Sequence, residues 1–159
     1  MINNLVIRKA DVKDMALIQD MIKSLAIYEK RPQDATGTAE QLKYWLFDKK
    51  IATFLIAEAD GVPIGYAIYY PIFASFSAAG KVHLEDFLIK EEYRGQGIGR
   101  YFLSKIVKIV IDEGYFGMEW SCLDWNKSAI DFYNKIGAKH ETGREYFELD
   151  FAHLNEIAL

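Results

Sequence analysis

Apolar residues recur at helical spacing in two long stretches and gather into short runs elsewhere. Ile18, Met21, Ile22 and Leu25 line one face of a helix that Asp11 can cap and that runs to about residue 28. Thr38-Ala39-Glu40-Gln41 has the capping-box pattern and opens a second helix through about Lys49. Leu103, Ile106, Val107, Val110 and Ile111 mark a third helix, and Asn126 caps a fourth around Ser128 to Lys135, ended by Gly137. Strand-like runs lie at 4–9, Thr53 to Ala59, Ile64 to Tyr70, Val82 to Ile89 and Met118 to Leu123, with Asp60-Gly61 a strong hairpin signal. Two closing strands are predicted near 138–142 and 145–151, and residues 71–80 read as a loop rich in Ala, Ser and Phe.

The resulting order, β-α-α-β-β-β-α-β-α-β-β, describes an α/β (α+β) chain. Strands and helices alternate only in its second half, so a mixed sheet fits better than a fully parallel one. No internal repeat or linker divides the 159 residues, which are expected to form one domain, 1–159.

Composition narrows the function classes. A hydrophobic fraction of 51% with 14% aromatics supplies a core and argues against disorder. A net charge of −4 suits a nucleic-acid binder poorly and is compatible with cationic substrates. Cys122 is the single cysteine, so no disulfide framework or cysteine-based zinc site forms within the chain; its apolar surroundings predict a buried, inert thiol. His83, His140 and His153 show no metal-ligand spacing, and no metal is expected. Met1-Ile2-Asn3-Asn4-Leu5 lacks a basic start and a long apolar run, and no 18-residue apolar stretch exists. The reading is a soluble cytoplasmic protein without membrane association.

The candidate chemistry begins at Arg94-Gly95-Gln96-Gly97-Ile98-Gly99, where a strand-like run hands over to the third helix. The first-turn N–H groups of a helix have no intrahelical partner and the macrodipole favours an anion there. Glycines let the backbone approach a phosphate closely. A Walker loop would need Gly-Lys-Ser/Thr where this chain has Gly99-Arg100-Tyr101, and a dinucleotide fingerprint would need glycine at Arg100. Both are rejected.

The remaining pattern, Arg/Gln-x-x-Gly-x-Gly/Ala, is that of the GNAT acetyltransferase superfamily, and Arg94, Gly97 and Gly99 match it. Leu84-Glu85-Asp86-Phe87 continuing to Tyr93-Arg94-Gly95-x-Gly97-Ile98-Gly99 resembles the diamine (spermidine/spermine and thialysine) N-acetyltransferases. So do Trp125-Asn126-x-x-x-Ile130-x-Phe132-Tyr133-x-x-x-Gly137-Ala138 and Leu25-Ala26-x-Tyr28-Glu29. The resemblance spans most of the chain. It implies the GNAT fold, a mixed and mostly antiparallel central sheet flanked by four helices, and a homodimer. It also implies transfer of an acetyl group from acetyl-CoA, the cosubstrate, to a primary amine.

The same resemblance assigns residues. Arg94, Gly95, Gln96, Gly97, Ile98 and Gly99 would hold the pyrophosphate of acetyl-CoA, and Phe87, Leu88 and Ile89 would pair with its pantetheine arm. The thioester-oxygen donor is expected around Leu88. Asn126 would contact CoA or serve only as a helix cap. Tyr133 would be the general acid, since a phenol of pKa about 10 can protonate a departing thiolate. Glu85 would be the base. Asp86, Tyr28 and Glu29 would line the amine pocket, with a glutamate at a helix end opposing the dipole there. On a regular strand Glu85 and Asp86 point to opposite faces; the resemblance implies a fold in which a bulge in this strand is usual, and such a bulge would bring both close. His83 is expected to be structural.

The pattern also departs from the resemblance. Phe73-Ala74-Ser75-Phe76-Ser77-Ala78-Ala79-Gly80 carries no acid, and Arg144 stands near an expected tryptophan. A long polyamine wants several spaced carboxylates and this chain has fewer, so a shorter amine or an aminoalkyl amino acid such as thialysine fits at least as well. A peptide or protein N-acetyltransferase and a non-catalytic acyl-CoA sensor are the alternatives.

Overall fold

The computed structural model describes residues 4–158; the start of the N-terminal run used above, Met1 to Asn3, lies outside them. The chain packs as two compact units, Met1–Ser121 and Cys122–Leu159.

The first unit is built on a five-stranded sheet in the order β1-β2-β3-β4-β5. The strands are β1 (Leu5–Lys9), β2 (Thr53–Ala59), β3 (Val62–Ala74), β4 (Ala79–Ile89) and β5 (Met118–Glu119). The first four pair antiparallel and β5 joins β4 in parallel, giving the expected mixed sheet. Asp60 and Gly61 both take positive φ, 50° and 79°, as a tight two-residue hairpin turn requires. The β3–β4 hairpin is longer than its sequence suggests. Residues 71–74 and 79–80 pair across the segment expected to be a loop, from Pro71 opposite Val82 to Ala74 opposite Ala79.

Three helices complete this unit: α1 (Met15–Tyr28), α2 (Ala39–Lys43) and α3 (Ile98–Asp112). Asp11 accepts from Lys13 N–H at 2.7 Å, while Asp14 accepts from Asp11 N–H at 2.8 Å; the capping box opens a 3-10 turn that runs into α1. Thr38 and Gln41 exchange the equivalent bonds at the start of α2, which widens into a π-helical turn at Tyr44–Asp48. Ile18 and Met21 of α1 pack with Phe54, Ile56, Tyr66 and Leu88 of the sheet, and Leu42, Leu46 and Phe47 close over the cluster. Phe54 and Tyr66 stack at 4.9 Å. On the opposite face Phe87 meets Phe102 of α3 at 5.4 Å.

Two irregularities in β4 matter most. Ile68 stands opposite Asp86, but its neighbour Tyr69 stands opposite Leu84, so Glu85 is an extra residue, a β-bulge. β5 pairs with β4 only at Val82/Met118 and His83/Glu119, shorter than the predicted 118–123. A bulge bends and twists its strand, and among the described residues the parallel ladder stops just before it.

The second unit contains α4 (Lys127–Lys135) and α5 (Phe151–Ile157). Asn126 Oδ1 accepts from Ala129 N–H at 3.2 Å and caps α4. Gly137 closes it at φ 85°, with Ala138 N–H bonded back to Tyr133 carbonyl and Gly137 N–H to Asn134 carbonyl. The closing strands expected near 138–142 and 145–151 do not form: residues 138–150 hold no regular structure, and α5 follows. A strand needs a hydrogen-bonding neighbour, and the described residues of this unit contain no other strand. Asp150 instead caps α5, its Oδ1 accepting from His153 N–H at 2.9 Å. Cys122 is exposed rather than buried, since β5 ends three residues before it.

Candidate active site

The glycine loop sits where β4, a short 3-10 turn (Glu91–Tyr93) and the N-terminus of α3 meet. Gly97 is the N-cap residue of α3 at φ 80°, and Gly95 has φ 74°. Both conformations favour glycine, and a Cβ on either would meet nothing within 4 Å. Among the described residues no side chain caps α3, so its first-turn N–H groups are left for solvent or a ligand. An anion such as a pyrophosphate fits this cradle: bare backbone donors, positive dipole end and room for close approach. Arg94 braces the loop with its side chain. Its Nε donates to Ile89 carbonyl at 2.7 Å and its guanidinium lies 4.4 Å from the Tyr28 ring centroid. Gln96 Nε2 donates to Glu92 carbonyl at 3.2 Å.

Beside the loop runs the edge of β4 that β5 does not cover. Lys90 N–H donates to Ile64 carbonyl at 2.9 Å, toward β3. By the alternation of an antiparallel ladder, Leu88 directs its backbone groups to β3, while Phe87 and Ile89 direct theirs to the other edge. The Ile89–Arg94 bond lies on that edge. Of the backbone groups around Leu88, those of Leu88 itself belong to the ladder, while those of Phe87 and Ile89 point to the open edge. Gly65 keeps this ladder tight, since a Cβ there would collide with Leu88 carbonyl oxygen.

The bulge places the two acids of β4 on one face. Tyr66 and Tyr70, four residues apart on β3, share a face, and each donates to one acid. Tyr66 Oη is 2.9 Å from Asp86 Oδ2, and Tyr70 Oη is 3.1 Å from Glu85 Oε2. Asp86 is half-buried, and burial pushes its carboxyl up to about 6. The Tyr66 hydrogen bond opposes this, and the charges of Glu85 and Glu29 add to it. Glu29, at the C-terminal end of α1, is itself raised by burial, against the opposing pull of Arg31. Burial beside Asp86 pushes the Tyr66 phenol far up, so it stays a donor. Three carboxylates thus face one region of the first unit, with Tyr28 tied to the loop next to Glu29.

Asn126 and Tyr133 lie on the second unit. Asn126 is a buried cap, and Tyr133 sits in the last turns of α4 with its ring edge-on to Phe132 at 5.4 Å. The motifs do not mark Tyr66 and Tyr70, the two partners of the acids. Their signal is a Tyr-x-x-x-Tyr pattern on one strand face, but only the β3–β4 register shows that each meets an acid.

Among the described residues no group of three His, Cys, Asp or Glu is placed to hold a metal ion, and no helix is long and apolar enough to cross a membrane.

The sequence pattern of the acetyltransferase (GNAT) family matches residues 18–138. The thialysine N-epsilon-acetyltransferase of Sus scrofa is 35% identical over 151 residues, covering 89% of this chain and 88% of that protein. The spermidine/spermine N(1)-acetyltransferase-like protein 1 of Homo sapiens is 31% identical over 152 residues, covering 90% of this chain and 22% of that one. An integron cassette protein from the mobile metagenome of V. cholerae shares the fold, with a TM-score of 0.80 at 21% identity and 98% of each chain covered. The chain therefore belongs to the GNAT family and is an acetyltransferase.

Proposed function

We propose that this protein uses acetyl-CoA to acetylate a primary amine of a small diamine, polyamine or aminoalkyl amino acid such as thialysine. The observation that carries this reading is the bulge that turns Glu85 and Asp86 to one face, where Glu29 adds a third negative charge. Three carboxylates gathered in a partly dry region repel one another. A substrate with one or two ammonium groups relieves that repulsion. The thialysine acetyltransferase relative supports the same substrate class.

Acetyl-CoA supplies the acetyl group as a thioester. Arg94 to Gly99 would hold its pyrophosphate through backbone N–H groups, and the open edge of β4 from Phe87 to Ile89 would pair with the pantetheine arm, with Asn126 a further contact. A primary ammonium has a pKa of about 10 and must lose a proton before its nitrogen can attack. Glu85, the more exposed acid, would accept that proton directly or through water. Asp86, held by Tyr66, would anchor the ammonium, and Glu29 with Tyr28 would receive the far end. Phe87 or Ile89 N–H would steady the thioester oxygen. Tyr133 would give its proton to the leaving thiolate. In this reading residues 1–159 act as one catalytic domain in the cytoplasm, and two copies form a homodimer. The exposed aromatics Tyr146, Phe147 and Phe151 offer an apolar surface for it.

The test is a thiol-release assay with acetyl-CoA against thialysine, lysine, putrescine, spermidine, spermine and a lysine peptide. Turnover on one or two small amines, lost in Glu85→Gln and Tyr133→Phe, is the expected result. Turnover on the peptide alone would replace this reading with a peptide acetyltransferase. CoA binding without any turnover would replace it with a sensor.

A further inference from the structure

His83 stands two residues before Glu85 on β4, half-buried, on the same face as Tyr70. Its ring stacks on the Tyr70 ring with centroids 5.1 Å apart and planes 26° apart. Its Nε2 lies 3.6 Å from Glu85 Oε2. Tyr70 donates to that same Oε2 at 3.1 Å. A hydroxyl and an imidazole nitrogen thus converge on Oε2 of the proposed base.

The 3.6 Å gap selects between the charge states of the imidazole. It is too long for a hydrogen bond to neutral histidine, yet it lies within the range of about 4 Å that defines an ion pair. The contact is therefore weak when the ring is neutral and attractive when it is protonated. Besides Tyr70 on β3, the charged neighbours of His83 in the described sheet are Lys81 and Glu85 on β4 and Glu119, which stands opposite His83 on β5 with its Oε2 3.8 Å from Lys81 Nζ. Lys81 and Glu119 offset one another, which leaves Glu85 as the anion for a cationic ring.

We infer that His83 is a positioning residue for Glu85: while neutral it stacks on Tyr70 and leaves the carboxylate on the Tyr70 hydrogen bond, and when it takes up a proton it holds the carboxylate in an ion pair and withdraws it from the incoming ammonium. No covalent step is involved; one solvent proton binds the ring, and Glu85 exchanges a substrate cation for an internal one. The inference rests on the proposed role of Glu85 as proton acceptor.

The experiment follows kcat and KM for the preferred small amine, and KM for acetyl-CoA, from about pH 5.5 to about pH 9, the range in which histidines change charge. The proteins are wild type, His83→Phe, His83→Gln and Glu85→Gln. His83→Phe keeps an aromatic ring against Tyr70 without a nitrogen. His83→Gln keeps polarity without a titrating charge and carries the same test should the Phe variant fail to fold. The acid limb of kcat/KM for the amine is expected to be one proton steeper in wild type than in either variant. Between about pH 8.5 and pH 6 the wild type should lose about fivefold more than the variants, with KM for acetyl-CoA unchanged. An identical limb in all three proteins overturns the inference, as does a uniform loss at every pH with a raised KM for acetyl-CoA. Glu85→Gln separates the two levels. If it turns over normally, the role of Glu85 itself fails; if it is inactive while the His83 variants keep the wild-type limb, only the part assigned to His83 fails.

Discussion

Tyr66 Oη donates to Asp86 Oδ2 at 2.9 Å, joining a fully buried phenol to an acid on the bulged strand. The bond satisfies the phenol but does not restore the hydration that the carboxylate has lost. The Asp86 carboxyl consequently titrates near 6 in the folded chain, against 3.8 for the ordinary side chain. Between those values the folded chain holds a proton that the unfolded chain has released. Stability therefore falls as pH rises through this window, and the cost is complete above about 6.

Asp86→Asn keeps a carbonyl for Tyr66 and removes the charge. The interval between the two titration points corresponds to roughly 3 kcal/mol. The variant is expected to gain about 2–3 kcal/mol in denaturant unfolding at about pH 8 and almost nothing near pH 3.5. Its kcat/KM for the amine should drop about tenfold or more, the exchange of stability for function common at active sites. A variant that is no more stable at high pH than at low pH would show that Asp86 carries no burial cost.

Gly65 makes a sterically decisive contact. A Cβ there would meet Leu88 carbonyl oxygen and sit 2.7 Å from Ile89 Cδ1. The first of these is ladder backbone and yields little. Gly65→Ala is expected to cost about 1–3 kcal/mol, read as a lower melting temperature. Because the displaced residues form the edge proposed to pair with pantetheine, KM for acetyl-CoA should rise as well. Unchanged stability would mean that β3 and β4 part here without penalty.

Three helix starts were legible in the sequence because each rests on a local bond. Asp11 with Asp14, Thr38 with Gln41, and Asn126 with Ala129 all act within three residues of one another. The turn at Asp60-Gly61 was legible for the same reason. The bulge at Glu85 was not, because it is a mismatch of register between β3 and β4, and alternation along one strand does not report its neighbour. Alternation alone sets the adjacent acids apart; the bulge that the resemblance offered turns them together, and only the register shows it. The C-terminus misled in the opposite direction. Tyr146, Phe147, Leu149 and Phe151 look strand-forming, but Asp150, inside that run, caps α5 and decides the helix. The loop at Arg94 to Gly99 was legible as a motif, while the bracing of Arg94 against Tyr28, 66 residues away in the chain, required the fold.

Arg8 ties β1 to the turn before α1 and to β2. It meets Asp14 through Nη1 at 2.7 Å and Nη2 at 2.9 Å, and Glu58 through Nε at 2.9 Å. The bond to Arg8 holds the Asp14 carboxyl below its usual value of 3.8 despite partial burial. A depressed carboxyl contributes stability above its unfolded pKa and loses it as pH falls through the folded one. Arg8→Met leaves two carboxylates without their partner and should cost about 1–2 kcal/mol at neutral pH. The lower end is favoured because the Arg8 side chain remains 35% exposed and the pairs are screened. The difference from wild type should shrink below about pH 3.8, where Asp14 begins to protonate in the unfolded chain. A penalty that persists undiminished in acid would assign it to lost packing of the Arg8 stem.

Gly97 and Gly61 form a matched pair for testing the loop. Both hold left-handed backbone, φ 80° and 79°, and a Cβ on either would meet nothing within 4 Å. Alanine at either site therefore pays the same backbone strain, about 1–2 kcal/mol, with no clash against the protein. The sites differ only in what the new methyl group faces. At Gly61 it projects from the β2–β3 turn; at Gly97 it stands over the uncapped first turn of α3, where the pyrophosphate is proposed to lie. Both variants should melt a few degrees lower, by similar amounts. Gly97→Ala should also raise KM for acetyl-CoA about tenfold, with a smaller effect on KM for the amine, while Gly61→Ala leaves both constants as in wild type. Equal KM values in the two variants would remove the glycine loop from cosubstrate binding and leave its positive φ as a matter of chain geometry alone.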